Sequence, residues 1–99
     1  MEVEDRLIEH EAVAQASIVG APDDKYGEEI LAFMELREGY ERPSDDSLRA
    51  FVREKLARFK QPRYFFWLGS SEKVPKEWPK TASGKISKPD LRKIVDSLI

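Results

Sequence analysis

The run Ile30-Leu31-Ala32-Phe33-Met34-Glu35-Leu36 constrains the fold more than any other part of this chain. It reads as a strand apolar enough to be buried on both faces, and such a strand needs covering layers above and below it. Gly39 closes the segment. With 99 residues the cover has to come from one modest core, since the length suits a single domain and is too short for two.

The rest of the chain supplies the layers. Val3, Leu7 and Ile8 fall at roughly helical spacing, which predicts a short helix over residues 2–10 with its acidic face in water and its end near His10. Residues 12–19, rich in Ala, Val and Ile, predict a strand that the turn residues Gly20-Ala21-Pro22-Asp23-Asp24 terminate. Pro43-Ser44-Asp45-Asp46 announces a second helix: Ser44 can cap it, and the two aspartates complement the positive end of its dipole. Leu48, Phe51, Val52 and Leu56 make the apolar stripe of a helix lying on a sheet, and Pro62 cannot continue its ladder. Tyr64-Phe65-Phe66-Trp67-Leu68 predicts a third strand by aromatic content. A loop over residues 69–86 precedes a last helix, with Ser87 as cap, Pro89 in its first turn and Asp90 at the capping-box position. Leu91, Ile94, Val95 and Leu98 form that helix's buried face. The fold class is α+β: a small domain with a central sheet of about three strands flanked by about three helices.

Charge narrows the partners. The formal net charge of −2 conceals a division: residues 1–51 carry 5 basic and 14 acidic side chains, net −9, whereas 52–99 carry 12 and 5, net +7. A basic half in an acidic chain fits a local anionic ligand or an acidic partner surface better than nucleic acid, which usually calls for a domain basic overall. For most of these lysines a solvated helix face is explanation enough. No apolar run approaches the roughly 20 residues of a membrane span, no secretory signal opens the chain, and the absence of cysteine excludes disulfide and thiolate chemistry. The cytoplasm is the expected compartment. His10, the only histidine, cannot build a metal cluster or a Ser-His-Asp system alone and suits a helix C-terminus. Turn and cap roles account for Asp23-Asp24, Glu28-Glu29 and Asp45-Asp46, so no metal site is expected.

Pro79-Lys80-Thr81-Ala82-Ser83-Gly84-Lys85-Ile86 sets a lysine on a small-residue turn just ahead of a helix start. Ser83 and Gly84 supply little bulk and a permissive backbone, so a large anion such as a nucleotide phosphate can approach the turn, where Lys85 would meet it as a point charge. Taken alone, a lysine after Ser-Gly is as well read as a solvated loop residue.

Five segments in order resemble the adenylate-forming enzymes, the family of acyl-CoA synthetases, peptide-synthetase adenylation domains and firefly luciferase. Glu2-Val3-Glu4-Asp5-Arg6-Leu7 is similar to the family's E-V-E-x-x-L, and residues 12–23 to its V-x-x-A-x-V-x-G-x-P-D. Gly27-Glu28 matches the G-E opening the next strand, residues 56–63 resemble L-A-x-[FY]-K-x-P-R, and residues 79–86 match PKTxSGKI. The chain departs from the pattern at His10-Glu11, where the family usually has His-Pro, at Trp78, where leucine commonly precedes PKT, and at Arg58, which replaces a frequent proline. None of these removes a reactive group.

The resemblance implies that residues 1–99 are the family's small C-terminal lid domain, with the large N-terminal domain, the hinge and most of the pantetheine-tunnel loop missing, since Met1 stands directly before the E-V-E helix. It implies an ATP-dependent acyl- or aryl-CoA synthetase of fatty acid metabolism: a carboxylate attacks the α-phosphate of Mg-ATP, pyrophosphate leaves, and a thiol then takes the acyl group and releases AMP. Lys85 aligns with the lysine of the first half-reaction, and Pro79, Lys80, Thr81, Ser83 and Gly84 shape its loop. Arg53, Lys60 and Arg63 are candidates to meet the phosphates of the CoA nucleotide, although for Lys60 a solvent-facing stripe opposite Leu56 is the better account. Trp67 and Trp78 could stack on adenine, but core or interface packing suits both better. ATP and CoA are expected as substrates of the parent enzyme, with Mg²⁺ held by the missing domain and nothing bound tightly here. The implied partners are the N-terminal adenylating domain and CoA, or else a carrier-protein phosphopantetheine in a peptide-synthetase parent. A stand-alone docking module without catalysis is the reading from another class. The isolated domain is expected to be inactive.

Overall fold

The computed structural model describes residues 2–23, 27–58 and 61–98. Their elements run α1 (Glu2–Ile8), β1 (Val13–Asp23), β2 (Gly27–Leu36), α2 (Asp45–Leu56), β3 (Tyr64–Trp67) and α3 (Lys88–Leu98). The strands form one sheet in the order β1-β2-β3, with β1 and β2 antiparallel and β2 and β3 parallel. The parallel pair requires a crossover, and α2 provides it. This is the α+β domain of three strands and three helices that the patterning predicts.

β2 is the middle strand, which explains its apolar run over residues 30–34. Leu31, Ala32, Phe33 and Met34 are each 0% exposed. Ile30, Ala32 and Met34 face a core built with Val3 and Leu7 of α1, Leu48 and Val52 of α2, and Phe65 and Trp67 of β3. Leu31 and Phe33 face the other way, against Val19, Val74 and the α3 residues Leu91 and Val95. The sheet is therefore a middle layer, with α1 and α2 on one face and α3 with the preceding loop on the other. At about 1.5–3 kcal/mol for each large side chain fully buried, these two faces supply the main drive to fold.

The helix starts form as the sequence indicates. Ser44 caps α2 by accepting the Ser47 N–H at 3.1 Å. Ser87 caps α3 by accepting the Asp90 N–H at 3.4 Å. The Ser87 N–H itself donates not to Asp90 but to the Pro79 carbonyl at 2.7 Å, tying the start of α3 to the loop before it.

Three expectations are corrected. β1 does not stop at Gly20 but runs to Asp23, because β2 starts early enough to pair with it: Gly20 faces Ile30, Pro22 faces Glu28 and Asp23 faces Gly27. The hairpin partner outweighs local turn chemistry, and Pro22 is tolerated because β1 is an edge strand. Asp24 lies outside the described residues. α1 ends at Ile8, which is 37% exposed, while Arg6 takes an inner position at 7%. Arg6 can be buried because its guanidinium is paired: Nε donates to the Phe51 carbonyl at 2.9 Å, Nη2 to Glu54 at 2.8 Å, and the group lies 3.5 Å from the Phe51 ring centroid. His10 follows the helix as a turn acceptor: its Nδ1 takes the Ala12 N–H at 3.1 Å and its ring meets Phe51 edge-on.

A further contact closes the sheet's outer edge. Glu4 accepts the Ile18 N–H of β1 at 2.6 Å and the Lys88 ammonium of α3 at 2.6 Å, so one carboxylate joins α1, the edge strand and the last helix.

Candidate functional site

The residues around Lys85 form a small hairpin. The Thr81 N–H donates to the Lys85 carbonyl at 2.8 Å, the Gly84 N–H returns to the Thr81 carbonyl at 2.9 Å, and Lys80 pairs with Ile86 in an antiparallel bridge. This is a three-residue loop over 82–84 with glycine at its left-handed position, and Gly84 has φ +85°. A Cβ at Gly84 would meet nothing within 4 Å, so the backbone angle, rather than space within the domain, requires glycine there. The side chains add to the hold: Thr81 Oγ1 lies 3.0 Å from Ser83 Oγ and accepts the Lys85 N–H at 3.3 Å. Thr81, Ser83 and Gly84 thus fix the Lys85 backbone. Its side chain is exposed, and among the described residues it has no ion-pair or hydrogen-bond partner.

An open groove of about 480 Å³ runs beside the hairpin, between Gln15 of β1, Glu35 of β2, Trp78, Lys80 and Lys85. Trp78 is half-buried on the second core, and its indole N–H donates to Glu35 at 2.7 Å. Trp67 is buried in the first core at 6% exposure. Both tryptophans pack, as expected of them. Glu35 was not among the expected functional residues; its signal was a single charge inside the apolar run 30–36.

The second candidate set lies elsewhere. Arg53, near the end of α2, donates to Gln61 at 3.0 Å. Arg63 forms a close ion pair with Glu29 and holds its guanidinium 5.5 Å from the Tyr64 ring centroid. The hydrogen bond that Arg63 donates to Glu29 raises the Arg63 pKa above its ordinary value. Lys60 lies outside the described residues. Arg49, which sequence reasoning missed, anchors this segment by donating to the Pro62 carbonyl at 3.0 Å and the Arg63 carbonyl at 2.5 Å. Its role is carried by contacts 13 and 14 residues away, which no local pattern reveals.

The two sets are not brought together. The Arg63 N–H donates to the Ile30 carbonyl near the start of β2, whereas the groove beside Lys85 opens at Glu35 near its end. At about 3.4 Å per residue, the strand from Glu29 to Glu35 spans roughly 20 Å. Among the described residues no group of three or more His, Cys, Asp or Glu side chains could hold a metal ion. No described helix is long and apolar enough to cross a membrane.

Residues 2–85 match the AMP-binding enzyme C-terminal domain family. The chain belongs to that family. It is 49% identical over its whole length to an acyl-CoA ligase of Aspergillus fumigatus, sidI, of which it covers 17%. It is 43% identical to the acetyl-coenzyme A synthetase of Bacillus subtilis, with 92% of this chain and 15% of that protein covered. The acyl-CoA synthetase of Brucella canis shares the fold with a TM-score of 0.81 at 34% identity, over 99% of this chain and 17% of that one. This AMP-binding C-terminal domain therefore spans less than a fifth of the length of the relatives it matches.

Proposed function

We propose that this domain is the mobile C-terminal lid of a cytoplasmic, ATP-dependent acyl- or aryl-CoA synthetase, and that Lys85 serves its adenylating half-reaction. The observation that carries the reading is the contrast within one hairpin: the motif's own hydrogen bonds hold the Lys85 backbone, while its ammonium has no partner among the described residues. A fixed backbone with an uncommitted cation suits a charge delivered to a reaction centre in another part of the enzyme.

In the first half-reaction a carboxylate oxygen bonds to the α-phosphorus of ATP as the bond to pyrophosphate breaks. The Lys85 ammonium, placed between the incoming oxygen and the α-phosphate, offsets the charge that gathers there. In the second, a thiol sulfur bonds to the acyl carbon and AMP leaves. Arg53 and Arg63 are assigned to the nucleotide phosphates of CoA, with the Glu29 partner of Arg63 giving way to phosphate. Their distance from Lys85 supports a lid that turns between the two steps, since one orientation presents one end of the sheet. The acid and ATP sites, the hinge and the Mg²⁺ belong, in this proposal, to the rest of the enzyme. Relatives named as acyl-CoA ligases support CoA as the acceptor and a place in acyl-CoA metabolism.

The test is ATP–pyrophosphate exchange in the full enzyme carrying this domain. Lys85→Ala is expected to lower the exchange rate by about 10²–10³-fold, the scale of other removed electrostatic stabilisers. Exchange within about twofold of wild type would exclude Lys85 from adenylation.

A further inference from the structure

We propose that the Trp78–Glu35 hydrogen bond is a latch that orients the Lys85 hairpin on the sheet, making Glu35 and Trp78 positioning residues for adenylation. The inference rests on the function proposed above and names residues which that reading does not use.

The hairpin's own bonds fix its shape but not its direction. The links from Thr81 to Lys85, from Gly84 to Thr81 and from Ser87 to Pro79 all lie within residues 79–87, and residues 80–85 are exposed throughout. An ammonium at the tip of such a unit would sweep a wide arc unless the stem were held. Trp78 stands at the stem, one residue before the Pro79 carbonyl that receives the Ser87 N–H. Its ring packs on the second core, and its Nε1–H donates to Glu35 at 2.7 Å. Among the described residues this is the hydrogen bond that joins residues 78–87 to the sheet.

Glu35 anchors the bond to the sheet through its β1 partner, one residue past the last β2–β3 pair of Met34 with Trp67. It lies near the end of β2, the middle strand, opposite Gln15 where the β1 register shifts. A hydrogen bond to a charged acceptor in a half-buried place is directional and stronger than one between neutral groups. A leucine before Pro79 could pack on the same core but has no N–H to donate, so the latch depends on the indole.

The test uses the full enzyme, with variants that keep the packing and remove only the bond. Trp78→Phe retains an aromatic ring without the donor, Glu35→Leu removes the acceptor, and Glu35→Gln retains an acceptor carbonyl. Trp78→Phe and Glu35→Leu are each expected to lower the adenylation kcat about tenfold, with KM for ATP and acid within about twofold and thioester formation from supplied acyl-adenylate unchanged. Glu35→Gln is expected to recover to within about threefold of wild type, and the Trp78→Phe/Glu35→Leu double variant to be no worse than either single one. Hydrogen–deuterium exchange over residues 79–87 should quicken in Trp78→Phe and stay unchanged in Lys85→Ala. Equal loss of both half-reactions, additive effects in the double variant, or unchanged exchange in Trp78→Phe would each overturn the latch. Should exchange quicken as expected while Lys85→Ala still adenylates normally, the latch would stand as a hairpin anchor and the adenylation role of Lys85 would fall.

Discussion

Gly84 has its positive φ because the loop over 82–84 must return Lys85 into register with Thr81, and its missing Cβ would touch nothing. Gly84→Ala therefore carries a conformational cost without a clash, about 1–2 kcal/mol, and Gly84→Asn should cost less because asparagine tolerates the left-handed region. Urea unfolding of the two variants checks both the size and the order. This part of the site was legible in the sequence, since turn chemistry is local and Thr81-Ala82-Ser83-Gly84 spells it out. Glu35 was not, because its partner Trp78 lies 43 residues away and a lone charge in an apolar strand does not name its contact. Likewise the positions of Arg53 and Arg63 could be read but not their pairing with Gln61 and Glu29, which depends on how α2 returns the chain to the sheet.

Among the elements, the packing of α1 on α2 turns on a buried arginine. Arg6→Ala is expected to cost about 2–3 kcal/mol, since it removes the stem's packing and leaves the Phe51 carbonyl and Glu54 without their donor. Glu54→Gln should cost less than about 1 kcal/mol, because that carboxylate is 70% exposed. Chemical denaturation separates the two. On the same seam Lys55, hydrogen-bonded to Glu9, holds the Glu9 carboxyl below its ordinary value, with Arg6 adding to the effect. A carboxylate with a depressed folded-state pKa stabilises the fold above its unfolded pKa and loses that contribution as pH falls through the folded value. Lys55→Met should accordingly lower the urea midpoint slightly at pH 7 and low salt but not in strong acid or at high salt, as the pair is exposed. Elements were legible where periodicity decides them: residues 30–34 of the apolar run are buried, alternating between the two faces of the sheet, and Ser44 and Ser87 cap the helices they precede. They were misread where a partner decides, as in the continuation of β1 through Pro22 and the exchange of Ile8 for Arg6 at the inner face of α1.

At the scale of the whole molecule, the domain holds two cationic features at opposite ends of one strand. Lys85 stands by Glu35, and Arg63 by Glu29, about 20 Å away along β2. The division of charge along the chain, net −9 before residue 52 and +7 from there on, belongs to this arrangement, because Lys85, Arg53 and Arg63 all come from the second half. If the domain is the lid proposed above, with its two ends serving different steps, disabling each end should give opposite phenotypes. The most direct measurement is single-turnover kinetics of both half-reactions in the full enzyme for Lys85→Ala and Arg63→Ala. Lys85→Ala is expected to stop formation of the acyl-adenylate while sparing its conversion to thioester, and Arg63→Ala to spare adenylation while raising the CoA concentration needed for the second step about tenfold. If either variant slowed both half-reactions equally, the division of labour between the two ends would be wrong.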